Sequence, residues 1–370
     1  MKPYFPLEDI EQLKVDIERI LKSGMLTLGK YTKEFEDEWA KICGSKYAVA
    51  VNSGTSAIEI ALRCLGVKGE DEVLVPTNTF SASAAAVFFA GGKPILTDID
   101  SESLCINLES IRKSITDRTK GVIVVHIGGL ICPDIKFIRE FCEDEGLFLI
   151  EDAAHAHGST IDGKSAGFLG DVGCFSFYPT KVMTTGEGGM ITTNNENVAE
   201  KAKILRDQGK ESFSSSTIVE LGYNWRMDEI SAALGLSQLK RLKEIIERRN
   251  EIAKHYDEKL SQLNGIKPLI IPQNIVCNYY KYVALLDGDI DRDVFKRKLM
   301  ERGVKCGGEV YWPPLHLQPL YQRLLGTAKG EFPVAEDVCT RMICLPIYTQ
   351  MTKDEAEYVI EEVSEVLSEV

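Results

Sequence analysis

The sequence predicts an α/β protein: a large domain built on a mostly parallel central sheet flanked by helices, followed by a smaller C-terminal α/β domain. Two observations predict it. Short apolar strands alternate with helical stretches through the first two thirds of the chain, which implies βαβ units and a parallel sheet buried on both faces. From Asp228 to about Leu263 the pattern then becomes one long helix, with apolar residues at Ile230, Leu234, Leu236 and Leu239, and a different unit comes after it. The expected division is a large domain over residues 1–240 and a smaller one over 241–370, entered by that helix.

Taken in order, the first residues lead into an acidic amphipathic helix. Strands are expected over 47–51, 72–76, 94–99, 121–126 and 148–151. Helices are expected between them over 55–65, 81–90, 108–115 and 135–145. Residues 189–193 add a strand, and 212–217 (Ser-Phe-Ser-Ser-Ser-Thr) form a polar, mobile loop. In the C-terminal unit, 278–285 reads as a strand, and 291–302 and 353–367 read as helices.

Composition narrows the function. The 370 residues suffice for one large or two ordinary domains, and 44% hydrophobic with 27% charged residues is an ordinary globular balance. A net charge of −13 argues against a general nucleic-acid binder and obliges any anionic substrate to find a local cluster of donors. The ten cysteines are scattered without a CxxC pair, as expected of buried reduced thiols in a cytoplasmic protein. There is no signal-peptide core, and no apolar run reaches the roughly 18 residues needed to span a bilayer, so no membrane partner is expected.

The chemistry concentrates around Lys181. The stretch Phe175-Ser176-Phe177-Tyr178-Pro179-Thr180-Lys181 places one lysine after a hydroxyl-bearing apolar strand and before the glycine-rich Gly186-Glu187-Gly188-Gly189. Upstream, an apolar run ends in Glu151-Asp152-Ala153-Ala154-His155. A lysine amine can form a Schiff base with an aldehyde cofactor, and a strand-end aspartate can keep a pyridine nitrogen protonated; pyridoxal 5'-phosphate (PLP) needs both. The bland alternative for Asp152 is a cap on the next turn. Asn52-Ser53-Gly54-Thr55-Ser56 opens a helix, where Gly54 allows close backbone approach and the amides of Thr55 and Ser56 are expected to be free for a phosphate; a simple N-cap turn is the alternative. His155-x-His157 lacks a third ligand at a recognisable spacing, so no metal is expected.

These stretches, together with Gly222-Tyr223-Asn224-Trp225-Arg226-Met227, resemble the sugar aminotransferases of the DegT/DnrJ/StrS family, within PLP fold type I. The resemblance runs from Gly24-Met25-Leu26-Thr27-Leu28-Gly29 to Cys344-Leu345-Pro346-Ile347-Tyr348. It implies that Lys181 carries PLP, that Asp152 faces the ring nitrogen, and that His155 approaches the phenolic oxygen. It further implies that Phe80 lies against the ring and that Ser176 binds the phosphate. Asn224 would reach the phosphate of the neighbouring subunit's site, making the protein a homodimer with shared active sites. Arg226 either contacts substrate or orders its loop, and Lys210 is a second candidate donor to a diphosphate. His126-Ile127-Gly128-Gly129-Leu130 replaces a tyrosine-glycine-glutamine-type turn of the family.

The implied activity is amino transfer, with glutamate as donor and a nucleotide-linked keto-sugar as acceptor. Dehydration or epimerisation of a similar sugar is one rival, although the related dehydratases carry histidine in place of Lys181. A PLP-binding regulator without turnover is the other.

Overall fold

A computed structural model describes residues 3–370. Helices α1 (Leu7–Ser23) and α2 (Lys30–Cys43) lead into β1 (Tyr47–Val51), α3 (Gly54–Cys64), β2 (Glu72–Pro76), α4 (Ser81–Phe89), β3 (Lys93–Thr97), α5 (Leu108–Ser114), β4 (Thr119–Val125), α6 (Ile135–Asp144) and β5 (Phe148–Asp152). A small hairpin, β6 (Thr160–Ile161) and β7 (Lys164–Ser165), precedes β8 (Val172–Ser176), β9 (Gly189–Thr193) and α7 (Glu196–Arg206). The C-terminal part holds α8 (Glu229–Leu260), β10 (Ile266–Pro268), β11 (Ile275–Val276), β12 (Tyr282–Leu286), α9 (Arg292–Glu301), α10 (Pro319–Leu325), α11 (Pro333–Arg341), β13 (Met342–Leu345) and α12 (Lys353–Leu367).

The expected mostly parallel sheet is present, with seven strands in the order β1-β9-β8-β5-β4-β2-β3. β2 pairs in parallel with β3 and β4, β4 with β5, and β5 with β8. β9 alone runs antiparallel, against both β1 and β8. Residues 177–188 join β8 to β9 without a helix, and the chain returns antiparallel. The expected strands at 47–51, 72–76 and 189–193 coincide with β1, β2 and β9. Every residue of β2 and β9 is buried, as continuous apolar strands under helices should be.

Parallel pairing places the carboxyl ends of β1, β2, β4, β5 and β8 at one pole of the sheet. This is the pole where open α/β sheets bind ligands.

One buried carboxylate fixes the N-terminal helices on this frame. Gly29 offers α2 no side-chain cap, and Glu229 of α8 replaces it. Its carboxylate accepts from the amides of Gly29 (2.9 Å), Tyr31 (2.8 Å) and Thr32 (2.8 Å) and from the Thr32 hydroxyl (2.5 Å). A negative group here satisfies orphan donors and suits the helix dipole.

The second sheet, β10-β12-β13, is antiparallel. The strand expected over 278–285 begins later, at Tyr282, because Tyr279 has φ +48° and the chain is still turning there. α8 takes part in two apolar cores: Leu239, Leu242 and Ile245 pack with the large sheet, and Ile252, Ala253, Tyr256 and Leu260 pack with β12, β13 and α12. No helix among the described residues is long and apolar enough to cross a membrane.

Candidate active site

Lys181 sits in the β8–β9 connection, which is tied to itself before it can wander. The Phe177 amide donates to the Gly188 carbonyl (2.9 Å), the Thr184 hydroxyl to the Phe177 carbonyl (2.7 Å), and the Lys181 amide to the Tyr178 carbonyl (2.9 Å). The lysine Nζ lies 4.8 Å from the centre of the Tyr280 ring. Burial pushes this amine down to about 8, Asp152 opposes the shift, and the positive charge of Lys281 adds to it. An amine so lowered is neutral, and therefore nucleophilic, in a far larger fraction near neutral pH than an ordinary lysine.

Asp152 ends β5 and is buried. Its Oδ2 accepts from the Ser83 hydroxyl (2.7 Å) and its Oδ1 from the Ala154 amide (3.2 Å). The turn-capping alternative thus accounts for one oxygen only. A buried carboxylate held by one hydroxyl and one amide keeps acceptor capacity for a protonated ring nitrogen.

His155 comes next on the same turn, and its tautomer can be worked out. The Gly128 amide donates to its Nδ1 (3.3 Å), so in the neutral ring Nε2 bears the hydrogen. The neutral form is the favoured one: burial, then Lys181 and Lys281, hold this ring well below the ordinary histidine range. Nε2–H must then donate to the Tyr311 oxygen, 2.9 Å away, which frees the Tyr311 hydrogen for another acceptor.

The Gly128–Gly129 turn makes this possible. Both glycines have positive φ, and a Cβ on Gly129 would come 2.1 Å from the Asn278 Oδ1. The turn that departs from the family pattern is therefore packed inside the protein, where it orients His155. His157 is engaged elsewhere, its Nε2 2.8 Å from the Ser176 carbonyl.

At the N-terminus of α3 the outcome is mixed. Gly54 lies against Ser176, where a Cβ would come 2.7 Å from the serine Cβ. The Ser176 hydroxyl makes no hydrogen bond among the described residues, and the Gly54 and Thr55 amides donate to none of them. The expectation for Ser56 is corrected: its amide is not free but donates to the Ser53 Oγ (3.1 Å), and its hydroxyl is bound to Asn52 (2.7 Å). Ser53 is the N-cap, and capping consumes the donor that the sequence suggested was open. A phosphate would meet Gly54, Thr55 and Ser176 there.

The remaining expected residues lie at the surface. Phe80 is 60% exposed, with its ring 5.9 Å from that of Tyr311. Asn224 is exposed, and its carbonyl is 3.4 Å from the Asn52 side-chain amide. Arg226 and Lys210 are not free donors in this chain. Both converge on buried Asp207, at 2.5 Å and 3.5 Å, a contact by which Arg226 ties its segment to the end of α7. Residues 212–217 are an exposed loop closed by the Glu211 amide on the Thr217 carbonyl (3.0 Å).

Sequence reasoning missed Ser83, Tyr280, Lys281 and Tyr311, all of which touch or face the Lys181–Asp152–His155 group. The cluster Tyr279-Tyr280-Lys281-Tyr282 was the one available signal: three aromatics around a lysine in a supposed core strand.

Comparisons with known proteins place the chain among others. The sequence model of the DegT/DnrJ/EryC1/StrS aminotransferase family matches residues 8–364. The chain is 36% identical to GDP-perosamine synthase of Caulobacter vibrioides, over 92% of this chain and 91% of that one. It is also 36% identical to the spore coat polysaccharide biosynthesis protein SpsC of Bacillus subtilis, over 99% and 97%. Among solved structures it is similar to Spr1654 of Streptococcus pneumoniae in its PLP form, with a TM-score of 0.92 and 28% identity over 100% of this chain and 97% of that one.

Proposed function

The chain belongs to the DegT/DnrJ/EryC1/StrS aminotransferase family, and from that premise we propose that it moves an amino group from glutamate to a keto-sugar carried on a nucleotide, using PLP. The single observation that carries this reading is the lowered amine of Lys181 grouped with buried Asp152 at the carboxyl pole of the sheet.

The residues present fit the cofactor. Lys181 would hold its aldehyde through the amine, Asp152 would face the ring nitrogen, and the Gly54 and Thr55 amides with the Ser176 hydroxyl would take the phosphate. When bound, PLP supplies an electron sink for the charge left on the substrate carbon. The chain does the rest. The Lys181 amine would take and return the proton at that carbon. Asp152 would keep the ring nitrogen charged. His155, its tautomer fixed by Gly128, holds Tyr311 with a free hydroxyl hydrogen at the site. The same reading includes a second copy of the chain, whose Asn224 would complete the phosphate site. It also includes a cytoplasmic setting, supported by ten cysteines with no disulfide among them.

The test is product mass. Incubated with glutamate and a panel of nucleotide-linked keto-sugars, the PLP-loaded protein is expected to yield a product in which the carbonyl oxygen is replaced by an amino group and a hydrogen, a net exchange of O for NH3. Loss of water instead would overturn the assignment in favour of dehydration.

A further inference from the structure

One cation beside Lys181 has no assigned task. Lys281 begins the turn into β12, and its Nζ lies 5.4 Å from the centre of the Tyr280 ring, the ring that also faces Lys181. Among the described residues it forms no ion pair, although the chain carries 56 acidic residues and most of its buried or half-buried cations are paired. Nearby Glu309 is no exception, being taken by Lys296. The head group has room because residue 307 is glycine, where a Cβ would come 3.0 Å from the Lys281 Nζ.

Lys281 also lines a cavity of about 720 Å³ that reaches Thr180, the neighbour of Lys181, and is bounded further out by Lys305, Tyr348 and Tyr358. Of the two acids on its wall, Glu355 is engaged by the Thr352 amide (2.8 Å), leaving Asp354. An unpaired cation in a cavity beside the reacting nitrogen is a site for an anion.

We propose that this cavity is the subsite of the amino donor and that Lys281 binds a carboxylate of a dicarboxylic amino acid. The inference rests on the amino-transfer reading above. A phosphate of the sugar nucleotide has the same charge chemistry, but position favours the donor. The donor's nitrogen must take the place of the Lys181 amine, and the side-chain carboxylate of a dicarboxylic amino acid lies a short aliphatic stem away from that nitrogen. Lys281, whose Nζ faces the same Tyr280 ring as the Lys181 Nζ, is placed to meet that second carboxylate. A sugar nucleotide keeps its phosphates at the far side of the sugar from the keto carbon. Lys281 is thus a specificity residue for the first half of the reaction. Its charge also disfavours protonation of Lys181, and a bound carboxylate would relieve that effect at the moment the donor arrives.

The experiment uses the PLP-loaded protein and two unreactive probes: glutarate, a dicarboxylate with no amine, and nucleoside diphosphates. Calorimetry is expected to show that Lys281→Met weakens glutarate binding about tenfold or more, that Lys281→Arg restores most of it, and that nucleoside diphosphate affinity does not move. In the sugar-free half-reaction with glutamate, tracked by absorbance, the same variant should raise KM more than it lowers kcat. Unchanged glutarate affinity in Lys281→Met overturns the proposal. So does a loss that falls on the nucleoside diphosphate, which would give the cation to the acceptor. Should Lys281→Met fail to fold, Lys281→Gln carries the same comparison. Both readouts omit the sugar, so a failed keto-sugar assignment leaves them interpretable, and a failure of Lys281 leaves amino transfer standing.

Discussion

Two regions near the same pole of the sheet contrast sharply. Around Lys181, Asp152 and His155 the groups are held by partners from their own chain: Ser83, Gly128, Tyr280 and Tyr311. The segment leading to Asn224 faces outward instead, with Ile218 57%, Leu221 85% and Tyr223 56% exposed. Large apolar side chains left in water in one stretch mark a surface that something covers. Under the reading proposed above, the first region is held within one chain, whereas the second is finished by another copy. A catalytic constellation can therefore be read from a single chain while part of its cofactor cradle cannot.

The strongest test of this contrast is Lys181→Ala, which should abolish turnover and the near-visible absorbance of the bound cofactor. A borohydride-reducible bond to a different lysine in the variant would move the centre of the site elsewhere. Next in size, Asp152→Asn should lower the rate by several orders of magnitude, because an amide cannot hold the ring nitrogen protonated. A near-normal rate would reduce Asp152 to the cap on Ala154.

The outward region is probed by mixing subunits. Lys181→Ala and Asn224→Ala proteins, each inactive alone, should recover about a quarter of wild-type activity on random reassociation, since half the dimers then hold one intact site of two. No recovery, or an active monomer in light scattering, would break the contrast by making each chain self-sufficient. The smallest effect is in pH. Capture of PLP by the apoprotein requires the neutral amine, so its rate should rise with pH through a midpoint near 8 rather than the ordinary 10.5. Removing the positive neighbour in Lys281→Met should move that midpoint upward.

The sequence made Lys181, Asp152 and the sheet legible for one reason. Strands buried on both faces are written as short apolar runs, and the residues just after them inherit the ligand pole. Groups that arrive by tertiary contact left no such mark. Tyr311 meets His155 from 156 residues away, and Ser83 meets Asp152 from 69. Ser56 was misjudged for a local reason: the residue three places earlier is a serine in extended backbone, which turns an open helix end into a capped one. The sequence leaves Arg226 open between substrate contact and loop ordering, and offers Lys210 as a donor, because nothing in it announces that Asp207 is buried between them.

Helix α8 has a mechanical consequence. Its 32 residues make a rod of about 48 Å, gripped along one stretch by the first core and along the next by the second. A hydrogen-bonded rod is stiff along its axis, so there is no slack between the residues before Asp228 and those after Leu260. Lys181 lies before the rod; Tyr280, Lys281 and Tyr311 lie after it. Their spacing across the site is thus gauged by a length of helix, as the jaws of a caliper are gauged by its beam. A bend introduced in that beam far from the chemistry would open or close the gap.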